Sequence, residues 1–191
     1  MKYVKILSLL AVAAAALMAF AASASATTVT SSTGTTPTIE SSAEGHAVLD
    51  NPIAKIECVS TVKGKVETHG TGVTAGGAIE TLTFGSPVGT CTNSWHVTVV
   101  SAGSLEIHAT SGGNGTLTSS GATVEATRFG VTCRYATSST DIGTVTAGEH
   151  ATLHITASIP FHSGSFLCGE GATTWTGAYK VSSPTNLSVD S

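Results

Sequence analysis

Charge is scarce in this chain. Asp, Glu, Lys and Arg make up 10% of its 191 residues, against about 25% in an average soluble domain. Basic residues are the rarer half, 8 against 12 acidic. Nucleic acid and anionic headgroups are held by clusters of Lys and Arg, so this balance argues against both as partners. Closely spaced cysteines are missing too. No two of Cys58, Cys91, Cys133 and Cys168 fall within C-x-x-C distance, the spacing a structural zinc site needs. No G-x-S-x-G elbow is present to carry a hydrolase serine. Aspartate occurs only as Asp50, Asp141 and Asp190, and Glu57, Glu67, Glu80, Glu106 and Glu125 sit in polar phase on strand-like segments. That is how surface carboxylates are placed, unlike the paired acids of a glycosidase. No catalytic residue, cofactor or metal is expected.

Only one long apolar run is present, and it opens the chain. Lys2 and Lys5 precede an almost unbroken apolar stretch over 6–22, and Ala24-Ser25-Ala26 is a small-x-small cleavage site. This pattern predicts a secretory signal peptide over 1–26 and a secreted, extracellular mature protein of about 165 residues. The cleavage site has no Cys to take a lipid, and no later run approaches the roughly 18 residues that span a bilayer. No membrane anchor is therefore expected after cleavage. Without Lys2 and Lys5 the net charge is near −6.

What replaces charge is hydroxyl: 32 Thr and 24 Ser. The stretch 27–45 is so poor in apolar residues that it reads as a mobile Thr/Ser-rich segment, with Thr38-Ile39-Glu40 as an edge strand at most. From His46 the texture becomes short alternating runs broken by Gly, Ser or Asn every eight to twelve residues, without a helical stripe. Thr and Val dominate, and both favour strands because their branched Cβ is stiff in a helix. A single all-β domain over 46–191 follows. Its expected architecture is an antiparallel β-sandwich, Ig-like or jelly-roll-like, with a barrel as the alternative.

Strands are expected at 54–63, 79–84, 128–136, 151–159, 174–181 and 187–189, with Pro160 ending the fourth. Trp95, Val97 and Val99 alternate with polar residues, as do Leu105, Ile107 and Ala109. Matching these faces pairs Val97 with Ile107 and leaves Ser101-Ala102-Gly103 as a three-residue hairpin loop, with Gly103 in the left-handed region. A second hairpin over 116–127 would turn at Ser120-Gly121, with Leu117 and Val124 inward. The glycine-rich stretch 69–78 precedes a strand rather than a helix, so it is a connection and not a phosphate cradle.

Four cysteines in an exported domain read as two disulfides. Three connectivities are open; Cys58–Cys91 with Cys133–Cys168 is preferred because neighbours in chain order tend to be neighbours in sheets. The hairpin register would set His96 opposite His108 on the polar face, where two solvated imidazoles are the plainer reading than an ion site. Trp175 and Tyr179 share one strand face. Exposed, they would be a ligand face of the kind that grips sugar rings, whereas core packing is the commoner use of such a pair. Asn114-Gly115-Thr116 and Asn186-Leu187-Ser188 fit glycosylation sequons in surface loops.

Three segments, Gly115-Thr116-Leu117-Thr118-Ser119-Ser120-Gly121, Phe129-Gly130-Val131-Thr132-Cys133 and Trp175-Thr176-Gly177-Ala178-Tyr179-Lys180-Val181, together resemble a group of uncharacterised secreted proteins of actinobacteria. The resemblance runs from Phe84 to the C-terminus. It implies export, an all-β structure and the Cys133–Cys168 pair, and it brings no functional residue with it. The expected function is a secreted, non-catalytic envelope or matrix component, or an interaction module with an unknown extracellular partner or ligand. A small-ligand or carbohydrate-binding module is the alternative, and a hydrolase comes third. Non-reducing peptide mapping of the secreted protein should find Cys58 linked to Cys91 and Cys133 to Cys168; a peptide joining Cys91 to Cys133 would contradict the pairing.

Overall fold

The structure is a computed structural model that describes residues 27–32, 34–67 and 74–190. The leader expected at 1–26 lies outside these residues. The strands, in chain order, begin with β1 (Thr28–Ser31), β2 (Thr38–Ala43), β3 (Ala47–Asn51), β4 (Ala54–Cys58), β5 (Ser60–Lys65) and β6 (Ala75–Phe84). Next come β7 (His96–Ser101), β8 (Ser104–Ala109), β9 (Gly115–Ser120), β10 (Thr123–Arg128), β11 (Val131–Ala136) and β12 (Thr140–Thr146). The last are β13 (Gly148–Glu149), β14 (Thr152–Ile159), β15 (Phe161–Gly164), β16 (Thr173–Ser183) and β17 (Asn186–Asp190). Every pairing is antiparallel.

Eight strands close a barrel in the order β14-β12-β9-β8-β6-β5-β2-β16, and β14 returns to pair with β16. Alternate residues of each strand point inward, so Val62, Leu105, Leu117, Leu153 and Tyr179 meet in its interior. Four of these strands do not stop at the barrel rim. β8, β9, β12 and β14 continue in sequence into β7, β10, β11 and β15, which form a second sheet in the matching order β15-β11-β10-β7. One four-stranded ribbon is thus barrel wall at one end and a separate layer at the other. Facing that layer is an extension of the barrel in which β3 and β4 join the end of β16. Leu49, Phe84 and Trp175 from this side pack with Val124 and Tyr135 from the other. The architecture is a barrel whose one end opens into a sandwich.

The bend is made at 102–103, 121–122, 137–139 and Pro160. Strands that change sheets need a break in the ladder at the corner, and each of these sites supplies one. Gly103 has φ +69°, and a Cβ there would lie 2.3 Å from the Ser120 carbonyl oxygen. Thr137 stitches the corner together. Its N–H donates to the Ala122 carbonyl at 2.8 Å, and its carbonyl accepts from Gly121 N–H at 3.0 Å. Its hydroxyl lies 3.0 Å from buried Ser119 Oγ and accepts from Ala122 N–H at 3.0 Å.

Both expected hairpins are corrected by this bend. Val97 pairs with Ala126, while Ile107 pairs with Leu117 and Ala75. Ser101-Ala102-Gly103 and Ser120-Gly121 are corners within long strands, not reversals. The apolar phases nevertheless face the interior as expected: Trp95, Val97, Ile107 and Leu117 are buried, and Gly103 is left-handed. The real reversal joins β8 to β9 through 110–114. Of the glycine-rich stretch, 75–78 belongs to β6 and the preceding 69–73 lies outside the described residues.

The mobile segment expected over 27–45 is corrected as well. β2 is a full barrel strand between β5 and β16. β1 pairs with β17, Thr28 opposite Asp190, and Val29 is wholly buried. Backbone pairing, on both edges of β2 and on one edge of β1, supplies the ordering that the side chains alone could not. The three-stranded sheet β1-β17-β13 closes the barrel end opposite the sandwich, where Thr27 Oγ1 accepts from Ala109 N–H at 3.2 Å.

Because Gly103 combines a left-handed backbone with a backbone clash, Gly103→Ala should cost about 2–4 kcal/mol in denaturant unfolding. Gly130, at φ +78° with open space around it, should lose only about 1 kcal/mol on the same change. Equal losses would mean that the close approach at the corner is not limiting.

Candidate functional site

Both disulfides join the expected partners, Cys58 with Cys91 and Cys133 with Cys168, as suits an oxidising compartment. One is anchored on β4, the last strand of the larger sheet, and the other on β11, an inner strand of the smaller one. Cys58–Cys91 fastens the loop 85–95 to β4, where Thr92 Oγ1 accepts the Glu57 N–H at 3.0 Å. Cys133–Cys168 fastens the 3-10 turn Phe166–Cys168 to β11, beside the Ser165 N–H bond to the Thr132 carbonyl at 2.9 Å.

Trp175 and Tyr179 do not form an exposed face. Tyr179 is fully buried, its hydroxyl donating to Ser60 Oγ at 3.0 Å. Trp175 is half-buried and packs edge-on against both Tyr179 and Phe84, with ring centroids 6.1 Å apart in each case. The face they share is the inner one, where the barrel interior runs into the sandwich. His96 and His108 are also separated. His96 sits on β7 opposite Thr127 of one layer, His108 on β8 opposite Thr116 in the barrel wall. His162 Nδ1 lies 3.2 Å from Ser163 Oγ, but the two are exposed neighbours in sequence. Asn114 Oδ1 accepts from Ala147 N–H at 2.8 Å and Asn186 Oδ1 from Ser32 N–H at 2.7 Å, so both sequon asparagines hold turns together.

The barrel interior leaves an apolar cavity of about 50 Å³ near its closed end, between Ile39, Val62, Val66, Ile79 and Ile107. Small-molecule sites run to roughly 300–1,000 Å³. At this size the interior is packed core with a minor void, not a calyx.

The unexplained feature lies at the far end of the sandwich. Arg128 and Val131 pair across a two-residue turn made by Phe129 and Gly130. Their φ values of 49° and 78° are those of a type I′ hairpin, whose first position normally takes Asn, Asp or Gly. A bulky side chain in that conformation costs about 1 kcal/mol or more. The Phe129 ring is also 84% exposed, so no burial offsets the strain. The 3-10 turn Phe166–Cys168, tied to the following strand β11 by the Cys133–Cys168 bridge, carries Phe166 at 92% and Leu167 at 51% exposure. Ser165 Oγ accepts the Leu167 N–H at 3.3 Å and fixes that turn. From the facing layer, Pro52 packs against Gly169 and Gly171 and brings exposed Ile53 to the same end.

A cation backs the tip. The Arg128 guanidinium lies 4.6 Å from the Phe129 ring centroid and 5.9 Å from that of buried Trp95, a stacked arrangement that holds the exposed ring in place. The sequence carried one signal for this turn, X-Gly between two alternating runs. Phe in place of Asn conceals it, so 128–136 reads as one strand where the structure ends β10 at Arg128 and begins β11 at Val131.

No family model matches the chain, and no curated protein or solved structure matches it either.

Burial pushes the Tyr179 hydroxyl up to about 12, against an opposing pull from its bond to Ser60. Burial raises Tyr135 as well. A raised value in the folded state means stability is complete below the unfolded value, about 10, and is lost as pH rises through the folded one. Unfolding free energy should therefore decline above about pH 10, by at most about 1.4 kcal/mol per pH unit for each such group. Tyr179→Phe should lose about 1 kcal/mol at pH 8 but show a shallower alkaline decline. An unchanged slope would place the titration elsewhere.

Proposed function

We propose that this is an exported, non-catalytic interaction module that docks through the tip formed by Phe129, Phe166 and Leu167. The observation that carries this reading is Phe129, which is both strained and exposed. Folding alone would be better served there by Asn or Gly, so the ring answers to a contact outside the chain. The features that stand out are apolar and outward-facing, which is docking chemistry rather than bond-making chemistry. Export is supported by the leader pattern, by the two disulfides and by the segmental resemblance to secreted actinobacterial proteins. The docking target belongs to the extracellular side of the envelope.

Sedimentation with washed envelope fragments of an actinobacterial host tests the reading. The disulfide-intact mature protein should pellet with the fragments. The double variant Phe129→Asn, Phe166→Ser should stay in the supernatant while melting within a few degrees of the parent, since both rings are exposed. Equal pelleting of the two proteins, or none by either, would show that the tip is not the docking element.

A further inference from the structure

The kind of surface the tip fits can be narrowed, on the reading that the tip is the docking element. Its two phenylalanines and half-exposed leucine present on the order of 400 Å² of apolar surface. A stable protein–protein interface takes about 800 Å² from each partner, so a second copy of this chain or a rigid protein partner would be held by too little. The shape points the same way. Phe129 leads a hairpin turn and Phe166 a separate 3-10 turn, so the rings protrude from two loops instead of lining a groove. Protruding rings need either a pocket cut to receive them or a phase that deforms around them.

Charge then selects the phase. Arg128, 4.6 Å behind the Phe129 ring, would sit at headgroup depth when the rings enter the acyl boundary, where a guanidinium meets phosphate. Glu170 follows Cys168 closely and is exposed, so the neighbouring turn adds a carboxylate and no second cation. The chain as a whole is acidic. An anionic bilayer would be attracted by Arg128 and repelled by the rest, whereas a zwitterionic one offers phosphate without net charge.

We propose that the tip inserts peripherally into zwitterionic lipid surfaces, with Phe129, Phe166 and Leu167 in the acyl boundary and Arg128 at the phosphates. Binding of this kind follows buried apolar area and is little affected by salt.

Vesicles of phosphatidylcholine alone provide the probe, with the disulfide-intact mature protein and co-sedimentation as the readout. The parent should partition onto them at low and high salt alike. Phe129→Asn with Phe166→Ser should lower the partition coefficient at least about tenfold, and Phe129→Leu with Phe166→Leu should retain most of it. Adding phosphatidylglycerol should bring little gain. No binding to phosphatidylcholine by the parent, or equal binding by parent and Asn/Ser variant, would overturn the proposal. So would binding that requires phosphatidylglycerol and disappears with salt, which is electrostatic adhesion. Tip-dependent pelleting with envelope fragments but not with these vesicles would refute the lipid partner alone and leave the tip as a docking element for another.

Discussion

Everything in this structure hangs on four strands keeping their hydrogen bonds while they turn a corner. A sheet edge left unpaired exposes a row of N–H and C=O groups, and this chain has few large side chains with which to cover one. The solution is to run β8, β9, β12 and β14 through a common bend, so that one ribbon closes the barrel and also forms the second layer of the sandwich. The corner works because small residues occupy it. Gly103 approaches the Ser120 carbonyl where no Cβ fits, and Thr137 replaces ladder bonds with bonds from its backbone and hydroxyl. Hydroxyl side chains earn their abundance at such breaks, since they complete hydrogen bonds that the bent backbone cannot.

The same ribbon determines where the exposed aromatics can go. Its free end carries the β10–β11 turn, and β15 leads straight from it into the 3-10 turn of Phe166. Cys133–Cys168 then ties the second turn to the strand that leaves the first. The two loops thus share a sheet and a covalent tie, and Arg128, over both Trp95 and Phe129, links the first of them to the core. Less ordering is then left for a target to impose on binding.

How much of this was legible depends on whether the signal was local. Alternation is local: it puts Trp95, Val97, Ile107 and Leu117 inward and locates β14, β16 and β17 to within one or two residues of their ends. The disulfide pairs followed from chain proximity, because each bridge spans neighbouring parts of one layer or its loop. Which strand lies beside which is not local. Ser-Ala-Gly permits either a reversal or a corner, and only the partner strands decide between them. β12 escapes the pattern because Gly143 interrupts its apolar phase, and β1 and the second half of β2 because Thr- and Ser-rich strands offer no apolar alternation and are ordered by their pairing. Trp175 and Tyr179 share a face that is plain in the sequence, and that face turns inward, as branched neighbours on the same strand favour. The tip escaped because exposure and strain belong to the folded chain and leave no periodicity behind.

Barrel and tip also divide the molecule's apolar residues by purpose. In the interior, large side chains are spread thinly and packed until only a small void remains, so each contributes to stability through burial. At the tip, Phe129 and Phe166 contribute almost no burial, and Phe129 adds backbone strain. In a chain with so few aromatics, leaving two of its five phenylalanines in solvent is hard to reconcile with selection for folding alone. Strain of this kind persists where the surrounding structure over-determines it, and here a six-residue register on β10 and β11 does so. The rigidity of the corner-linked ribbon is thus what allows an unfavourable residue to be held outward at its end.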